Sequence, residues 1–341
     1  MATQAFRLDM KSPLHVGEMG VGLEETLEYV PSDTLFSALV TTWLEMGRHD
    51  LVDALPAWSQ SDPPLLLTSA FPCLGETLLY PCPLLLMQPK NGGKVYKKVR
   101  WVSRSLFDQL AAQPTQENLD HLWAQHSLYA SGAVWADTGE NLDADQTWGR
   151  TRVPKVTVDR VSNASALFHV GRVHFGEQAG LWFAADGDQK WLDALDEALE
   201  LLADSGIGGQ RSRGNGRFAP KKLATPLPTP ATQSGTGYQV LLSRTAPTAA
   251  QMDALRRPSS SYQLVTVGGW ASAPGDRPLI RQRVRMLAEG SIVAAGGIGQ
   301  LVDVNPARHL VAHPIYRYGY GFGVPIHLPK EWTDAENGGT Q

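Results

Sequence analysis

The sequence predicts an α+β fold in two successive units, on three observations. Alternating apolar segments of strand length outnumber helical stripes, so single strands and single helices do not take turns as in a doubly wound parallel sheet. Two amphipathic stripes, Leu35 to Met46 and Trp191 to Leu202, mark the strong helices. Residues 223–236 are rich in Pro, Thr, Gly and Ser, and the strand pattern restarts after them. A length of 341 residues suits two domains.

Ala5 to Met10 alternates apolar and polar side chains and reads as the first strand, followed by a loop with Gly17, Gly20 and Gly22. Pro31-Ser32-Asp33 opens a helix, where Ser32 or Asp33 can cap free amides. Leu35, Phe36, Leu39, Trp43 and Met46 share one face of it, and Gly47 ends it. Leu65 to Met87 is apolar and proline-rich, the composition of short strands and turns. From Gln88 to about Arg152 the chain is polar and irregular and reads as an insertion, with helices around Leu106–Leu110 and Asn118–Leu128.

Val153–Val158, Ala166–Phe175 and Leu181–Ala184 are further strands. Asp188 to Ala203 is the clearest helix: Trp191, Leu195, Leu199 and Leu202 form its stripe, Asp188 its cap and Gly206 its stop. Beyond the linker, strands at Tyr238–Leu242 and Tyr262–Val267 bracket a short helix at Thr248–Arg256. Arg283–Ala294 and Val302–Ala312 supply more strands. This order fits two ferredoxin-like (RRM-like, βαββαβ) units in tandem. The first spans 1–222 with an insertion at about 88–152; a linker at 223–236, a second unit at 237–330 and a flexible polar tail at 331–341 complete the chain.

The composition is 43% apolar with ten tryptophans, enough for packed cores. No run reaches eighteen apolar residues, and Met1 to Lys11 lacks the apolar centre of a signal peptide, so the expected compartment is the cytoplasm, with no membrane partner. Cys73 and Cys82 are too few for a zinc site, and no metal or cofactor is expected.

A net charge of −4 argues against nucleic acid, but its distribution argues the other way. No acid lies between Asp204 and Asp253, a window holding Arg211, Arg213, Arg217, Lys221, Lys222 and Arg244. Thr77 to Phe107 is also free of acids and holds Lys90, Lys94, Lys97, Lys98, Arg100 and Arg104. Arg277, Arg281, Arg283 and Arg285 form a third cluster. Any one cluster fits an ordinary solvated loop equally well; three together favour a polyanion.

The segment Gly206 to Phe218 carries the chemistry. Five glycines in its first eleven residues permit positive φ and close backbone approach, and successive amides can cradle an anion. Arg211, Arg213 and Arg217 add forked donors suited to phosphate. Walker A is excluded, because Gly214 is followed by Asn215 rather than Lys. A dinucleotide fingerprint is excluded too, because the loop follows a helix C-terminus, where the macrodipole repels anions. Taken alone, the loop also fits a glycine-rich turn with solvated arginines.

Two other features stay open. Asp193, Asp196, Glu197 and Glu200 lie three or four residues apart, the pattern of a wet helix face. Tyr316, Tyr318, Tyr320 and Phe322 alternate with Arg317 and glycines, which suits either a base-stacking face or one buried strand face.

The run Gly208-Gly209-Gln210-Arg211-Ser212-Arg213-Gly214-Asn215-Gly216-Arg217-Phe218 resembles the glycine-rich loop that ends the first unit of the RAMP superfamily of CRISPR proteins. Lys11 to Glu18, followed by Ser32-Asp33-Thr34-Leu35-Phe36, is similar to the N-terminus of the fourth subunit of the Csm complex, the type III-A effector. Asp159 to Asn163 resembles a mid-chain segment of that family, and Ala288 to Ser291 and Tyr316 to Gly319 resemble its C-terminal half.

The resemblance implies an RNA-binding subunit that holds the 5′ handle of the crRNA. It would dock on the large polymerase-like subunit and on a backbone RAMP subunit, meet target RNA indirectly, and cut nothing itself. The insertion would supply a thumb-like hairpin within about Gln88 to Arg152. The implied RNA contacts are Lys11, Ser12, His15, Ser32, Asp33, Thr34, Arg160, Gly208, Gly209, Gln210, Arg211, Ser212, Arg213, Gly214, Gly216, Arg217 and Arg317. The alternative is a crRNA-processing endoribonuclease with His15 as general acid or base. That chemistry needs a base, an acid and a charge stabiliser in one place, and no spacing forces Lys11 or His49 beside His15.

Overall fold

Strand β1 (Ala2–Met10) buries Ala5, Phe6 and Leu8 at the centre of the molecule. The computed structural model describes residues 2–18, 22–58, 63–140, 142–143, 147–224, 237–271, 279–296, 299–305, 314–329 and 332. Nearly all of the expected linker, the tail except Trp332, and Arg277 of the third basic cluster lie outside the described residues.

Helix α1 (Ser32–Glu45) starts at Pro31, whose ring presets φ at −59°. Neither Ser32 nor Asp33 is therefore the cap. Both sit buried inside the first turn, while Leu35, Phe36, Leu39 and Trp43 face the core as the periodicity predicts. Short helices α2 (His49–Val52) and α3 (Leu55–Trp58) follow, then strands β2 (Leu65–Leu67), β3 (Phe71–Leu74) and β4 (Thr77–Pro81).

Residues 88–152 are more regular than their polar composition suggests. Helix α4 (Gly93–Tyr96), strand β5 (Trp101–Ser103), helices α5 (Arg104–Ala112) and α6 (Gln116–Ala124), and strands β6 (His126–Tyr129) and β7 (Val134–Asp137) do not project as an appendage. They extend the main sheet and bury Trp101, Phe107, Leu119 and Trp135 in a shared core. The polar residues that suggested an insertion cover the outside of this layer, and widely spaced aromatics supply its inside. The projecting element comes later, as a hairpin of β8 (Trp148–Val158) and β9 (Ser165–Phe175), with eleven residues in each strand.

Strand β10 (Ala179–Gly187) returns to the centre, and α7 (Gln189–Ser205) follows. Asp188 holds the N-cap position of α7 but makes no side-chain cap bond. Strand β11 (Phe218–Leu223) closes this half. The main sheet runs β11-β1-β10-β3-β4-β5-β7-β6, with β2 also paired to β10. β1 lies between β10 and β11 and is antiparallel to both. Trp43 of α1 and Trp191 of α7 meet ring to ring at 5.7 Å, so the two helices pack together over this core.

The second half comprises β12 (Tyr238–Leu241), α8 (Met252–Leu255), β13 (Leu264–Val267), β14 (Trp270–Ala271), β15 (Leu279–Ile280), β16 (Val284–Leu287), β17 (Ile292–Ala294), β18 (Val302–Asp303), β19 (Tyr316–Arg317) and β20 (Gly323–Ile326). Its sheet is β17-β12-β20, beside separate ladders β13-β16, β14-β15 and β18-β19. Four strands in one sheet are not formed there among the described residues. The expected helix Thr248–Arg256 shrinks to α8 after a 3-10 turn, closed by a Thr248–Gln251 capping box.

The halves share their cores. Tyr238, Val240 and Phe322 pack in the cluster that holds Tyr80 and Trp182. Tyr318 and Tyr320 pack with α1 and α7. Tyr318 donates from its hydroxyl to the Leu65 carbonyl (3.4 Å) and accepts from the Leu67 amide (2.9 Å), and Tyr320 donates to the Trp58 carbonyl (2.6 Å). Burying each such ring stabilises the junction by about 2 kcal/mol. Tyr318, Tyr320 and Phe322 thus form a buried face with half-buried Tyr316 at its edge, not a stacking platform for bases.

Candidate nucleic-acid interface

The glycine loop is sewn to the segment from Lys11 to Val16. After α7 the chain turns at Gly206 with φ +82°, and Ile207 drops into the core. The Ile207 amide donates to the Gly216 carbonyl (2.9 Å), Gly216 to Pro13 (2.8 Å), Gly209 to His15 (2.7 Å) and Lys11 to Arg217 (2.8 Å). The Arg217 amide donates to the Ser12 hydroxyl (2.8 Å). Two glycines are required by close approach. A Cβ on Gly208 would lie 2.5 Å from the His15 carbonyl oxygen, and one on Gly216 would collide with the Ile207 backbone. Between these stitches the chain bulges outward, with Gln210 at φ +60°, one turn at Arg211–Arg213 and Gly214 at φ +79°.

Four cations converge on this bulge, while the exposed Lys94, Lys97, Lys98, Arg283 and Arg285 also lack an acidic partner among the described residues but border no glycine loop. Most other basic residues of the acid-free windows are spent. Lys221 pairs with Asp9 (2.6 Å), Lys222 with Asp196 (2.8 Å), Lys90 with Asp120 (3.3 Å) and Arg104 with Asp108 (3.5 Å). Lys11, Arg211, Arg213 and Arg217 have no acidic partner among the described residues. Arg213 donates to the Gln210 side chain (2.8 Å), and Lys11, Arg213 and Arg217 are exposed. Four uncompensated cations around one glycine bulge make the local positive surface that the net charge conceals.

The hairpin base borders the same segment from the other side. Leu14 and Val173 of β9 exchange backbone hydrogen bonds of 2.9 and 2.8 Å. The His15 Nδ1 lies 2.8 Å from the Gly171 carbonyl oxygen. Glu28 braces the hairpin from below. It is buried and accepts from Arg100 (3.2 Å), from the Trp101 indole (3.2 Å) and from Arg150 of β8. Burial pushes the Glu28 carboxyl up, but Arg100 and Arg150 outweigh it and hold the group below the usual carboxylate range. At the hairpin tip, Asp159 accepts from the amides of Val161 (2.8 Å) and Ser162 (2.7 Å), leaving Arg160 exposed.

The other expected contacts form a second cluster. Asp33 is ion-paired with Arg317 and lies 3.9 Å from Arg244; all three are buried. Arg244 also lies 3.8 Å from Glu289, which accepts from Tyr29 (3.0 Å) and Ser69 (2.5 Å). Ser32 accepts from the Arg244 amide (3.0 Å), and Arg317 donates to the Gly268 carbonyl (2.8 Å). Burial pushes the Arg244 guanidinium down, but Tyr29, Glu289 and Asp33 outweigh it and raise the group above its usual range.

Lys11, Ser12 and His15 therefore join the loop residues Gly208 to Arg217 in one strip. Ser32, Asp33 and Arg317 lie beneath the surface and use their polar groups to fasten the two halves together. Thr34 lines a small cleft with Gly17, Asp33 and Arg317. Arg160 stands apart at the hairpin tip, about 30 Å from the base at the usual rise per residue. Arg244 and Glu28 carry much of this architecture without any motif of their own, and Glu289 lies in the segment Ala288 to Ser291 that carried the resemblance; Arg244 was also the last base of an acid-free window. Burial pushes the thiols of Cys73 and Cys82 up to about 12, so neither is a reactive thiolate. Among the described residues no group of three or more His, Cys, Asp or Glu is placed to hold a metal, and no helix is long and apolar enough to cross a membrane.

The RAMP superfamily profile matches residues 7–219, which include the loop and its N-terminal partner strand, and the Csm4 C-terminal domain profile matches residues 234–326. A Thermococcus onnurineus protein named CRISPR system Cms protein Csm4 is 30% identical over 320 residues, covering 88% of this chain and 92% of its own. The chain belongs to the Csm4 family of the RAMP superfamily. A Csm4 protein of Mycobacterium tuberculosis is 29% identical over 329 residues, covering 93% and 96%. The fold is that of chains in solved assemblies that contain Csm4. One, in a Csm3–Csm4 subcomplex of the type III-A CRISPR-Cas interference complex, superposes with a TM-score of 0.67 at 17% identity over 95% of this chain and 100% of the other. Another, in a Csm1–Csm4 cassette with cA4, gives 0.57 at 19% identity over 96% and 99%.

Proposed function

We propose that this Csm4-family chain grips the repeat-derived 5′ handle of a crRNA and bridges the large polymerase-like subunit to the backbone subunits of a type III-A complex. The observation that carries the reading is the strip of four uncompensated cations, Lys11, Arg211, Arg213 and Arg217, on a glycine bulge whose open backbone can follow a phosphate chain. The bridging role draws on the solved relatives, which are assembled with Csm3 and with Csm1. In this reading both halves are ferredoxin-like units, the second one reduced, and the β8–β9 hairpin is the thumb beside the guide, meeting target RNA only indirectly.

The chain has no catalytic role of its own in this reading. His15 commits Nδ1 to a backbone carbonyl, and among the described residues no hydrogen bond joins it to a second titratable side chain. The endoribonuclease alternative is tested by incubating the chain with labelled repeat RNA without metal; a product lost in His15→Ala would establish it. The grip itself is tested by photocrosslinking the assembled complex. Crosslinks should map to residues 11–15 and 208–217, and crosslinks confined to other surfaces would refute the assignment.

A further inference from the structure

Resting on the RNA-grip reading, we infer that the Nε2 atom of His15 is a fixed hydrogen-bond acceptor that selects ribose over deoxyribose by receiving one 2′-hydroxyl of the bound strand. The tautomer follows from the partner. Nδ1 lies 2.8 Å from the Gly171 carbonyl oxygen, which only accepts, so Nδ1 carries the hydrogen. In the neutral imidazole, Nε2 then presents a lone pair. Among the described residues no group donates to it.

The surroundings of Nε2 form a notch made by two absent side chains. A Cβ on Gly17 would lie 3.8 Å from Nε2, and one on Gly209 would lie 3.7 Å from it and 2.9 Å from the ring Cδ2. Neither glycine takes a positive φ, so the backbone conformation does not demand glycine at either position. What glycine supplies there is open access to the edge of the ring. The backbone that carries the ring and the ring's Nδ1 are both held. The His15 carbonyl accepts from Gly209 (2.7 Å), Val16 beside it donates to Thr26 (2.9 Å), and Nδ1 is tied to β9. Once a bound strand covers it, an acceptor held in a fixed direction selects a donor, because an analogue lacking that donor leaves it buried and unpaired.

The ribose is the donor that fits. The notch lies inside the glycine loop, one residue from the bulge that follows the phosphates, and the 2′-hydroxyl is the donor attached to that backbone whatever the base. It is also the group that separates RNA from DNA at a given site.

The test uses the full-length chain and a handle-sequence RNA, with single 2′-deoxy substitutions walked along it and a second series deleting exocyclic amines, such as inosine for guanosine. The wild-type chain should lose about tenfold in affinity at one 2′-deoxy position and at no amine deletion. His15→Phe should lose that selective sensitivity. Gly17→Val covers Nε2 while keeping the ring and its Gly171 bond, and should lose it too; it keeps the test informative if His15→Phe does not fold. Equal 2′-deoxy profiles in the wild type and Gly17→Val, or a response only to amine deletion, would overturn the inference while the grip stands. Failure of the wild-type chain to bind the RNA at all would overturn both.

Discussion

Asp33, on the first turn of α1, and Arg317, on β19, form a buried ion pair across 284 residues of sequence. With Arg244 and Glu289 they make the polar fastening between the two halves. A buried pair adds little over apolar packing, yet removing one member strands the other charge. Arg317→Met alone should cost about 3–5 kcal/mol in denaturant unfolding, and Asp33→Leu with Arg317→Met should recover most of it. A double variant no more stable than Arg317→Met would contradict the account.

Glu28 links the hairpin to the sheet, and its depressed pKa fixes the sign of a pH effect. Its contribution to stability is present above the ordinary carboxylate range and is lost as pH falls through the lowered folded value. Glu28→Gln should therefore cost about 2 kcal/mol at neutral pH and flatten the acid limb of the stability curve below about pH 4. Parallel wild-type and variant pH profiles would exclude this role.

Gly216 and Gly214 both have φ near +80°, but only Gly216 faces backbone that a Cβ would strike. Gly214→Ala should cost about 1 kcal/mol, the ordinary left-handed penalty, and keep RNA binding. Gly216→Ala should cost more than about 2 kcal/mol and abolish binding, since the stitch to Ile207 and Pro13 cannot close. Thermal melts and binding assays on the two variants separate conformational strain from collision.

Much of this site was legible in local pattern. The loop announced itself through glycine density and through arginines without neighbouring acids, and α1 and α7 through their apolar stripes. Two things were not legible. The first is which basic residues are free, because Lys221 and Lys222 are neutralised by Asp9 and Asp196, which only the pairing of β1 and the packing of α7 against β11 bring near. The second is the depth of Ser32, Asp33 and Arg317. A polar residue beside a helix start reads as a cap or a contact, and its burial depends on a partner hundreds of residues away. The β8–β9 hairpin was not recognisable as one for a related reason: Val156, Val158 and Leu167 gave it the apolar alternation of a sheet strand, although they stand exposed.

The salt dependence of RNA affinity tests the central claim most directly. Each phosphate contact on single-stranded RNA contributes about 0.7 to the slope of log affinity against log salt. Arg211→Ala, Arg213→Ala and Arg217→Ala combined should weaken binding of a handle RNA and lower the magnitude of that slope by about 2. An unchanged affinity and an unchanged slope in the triple variant would contradict the account.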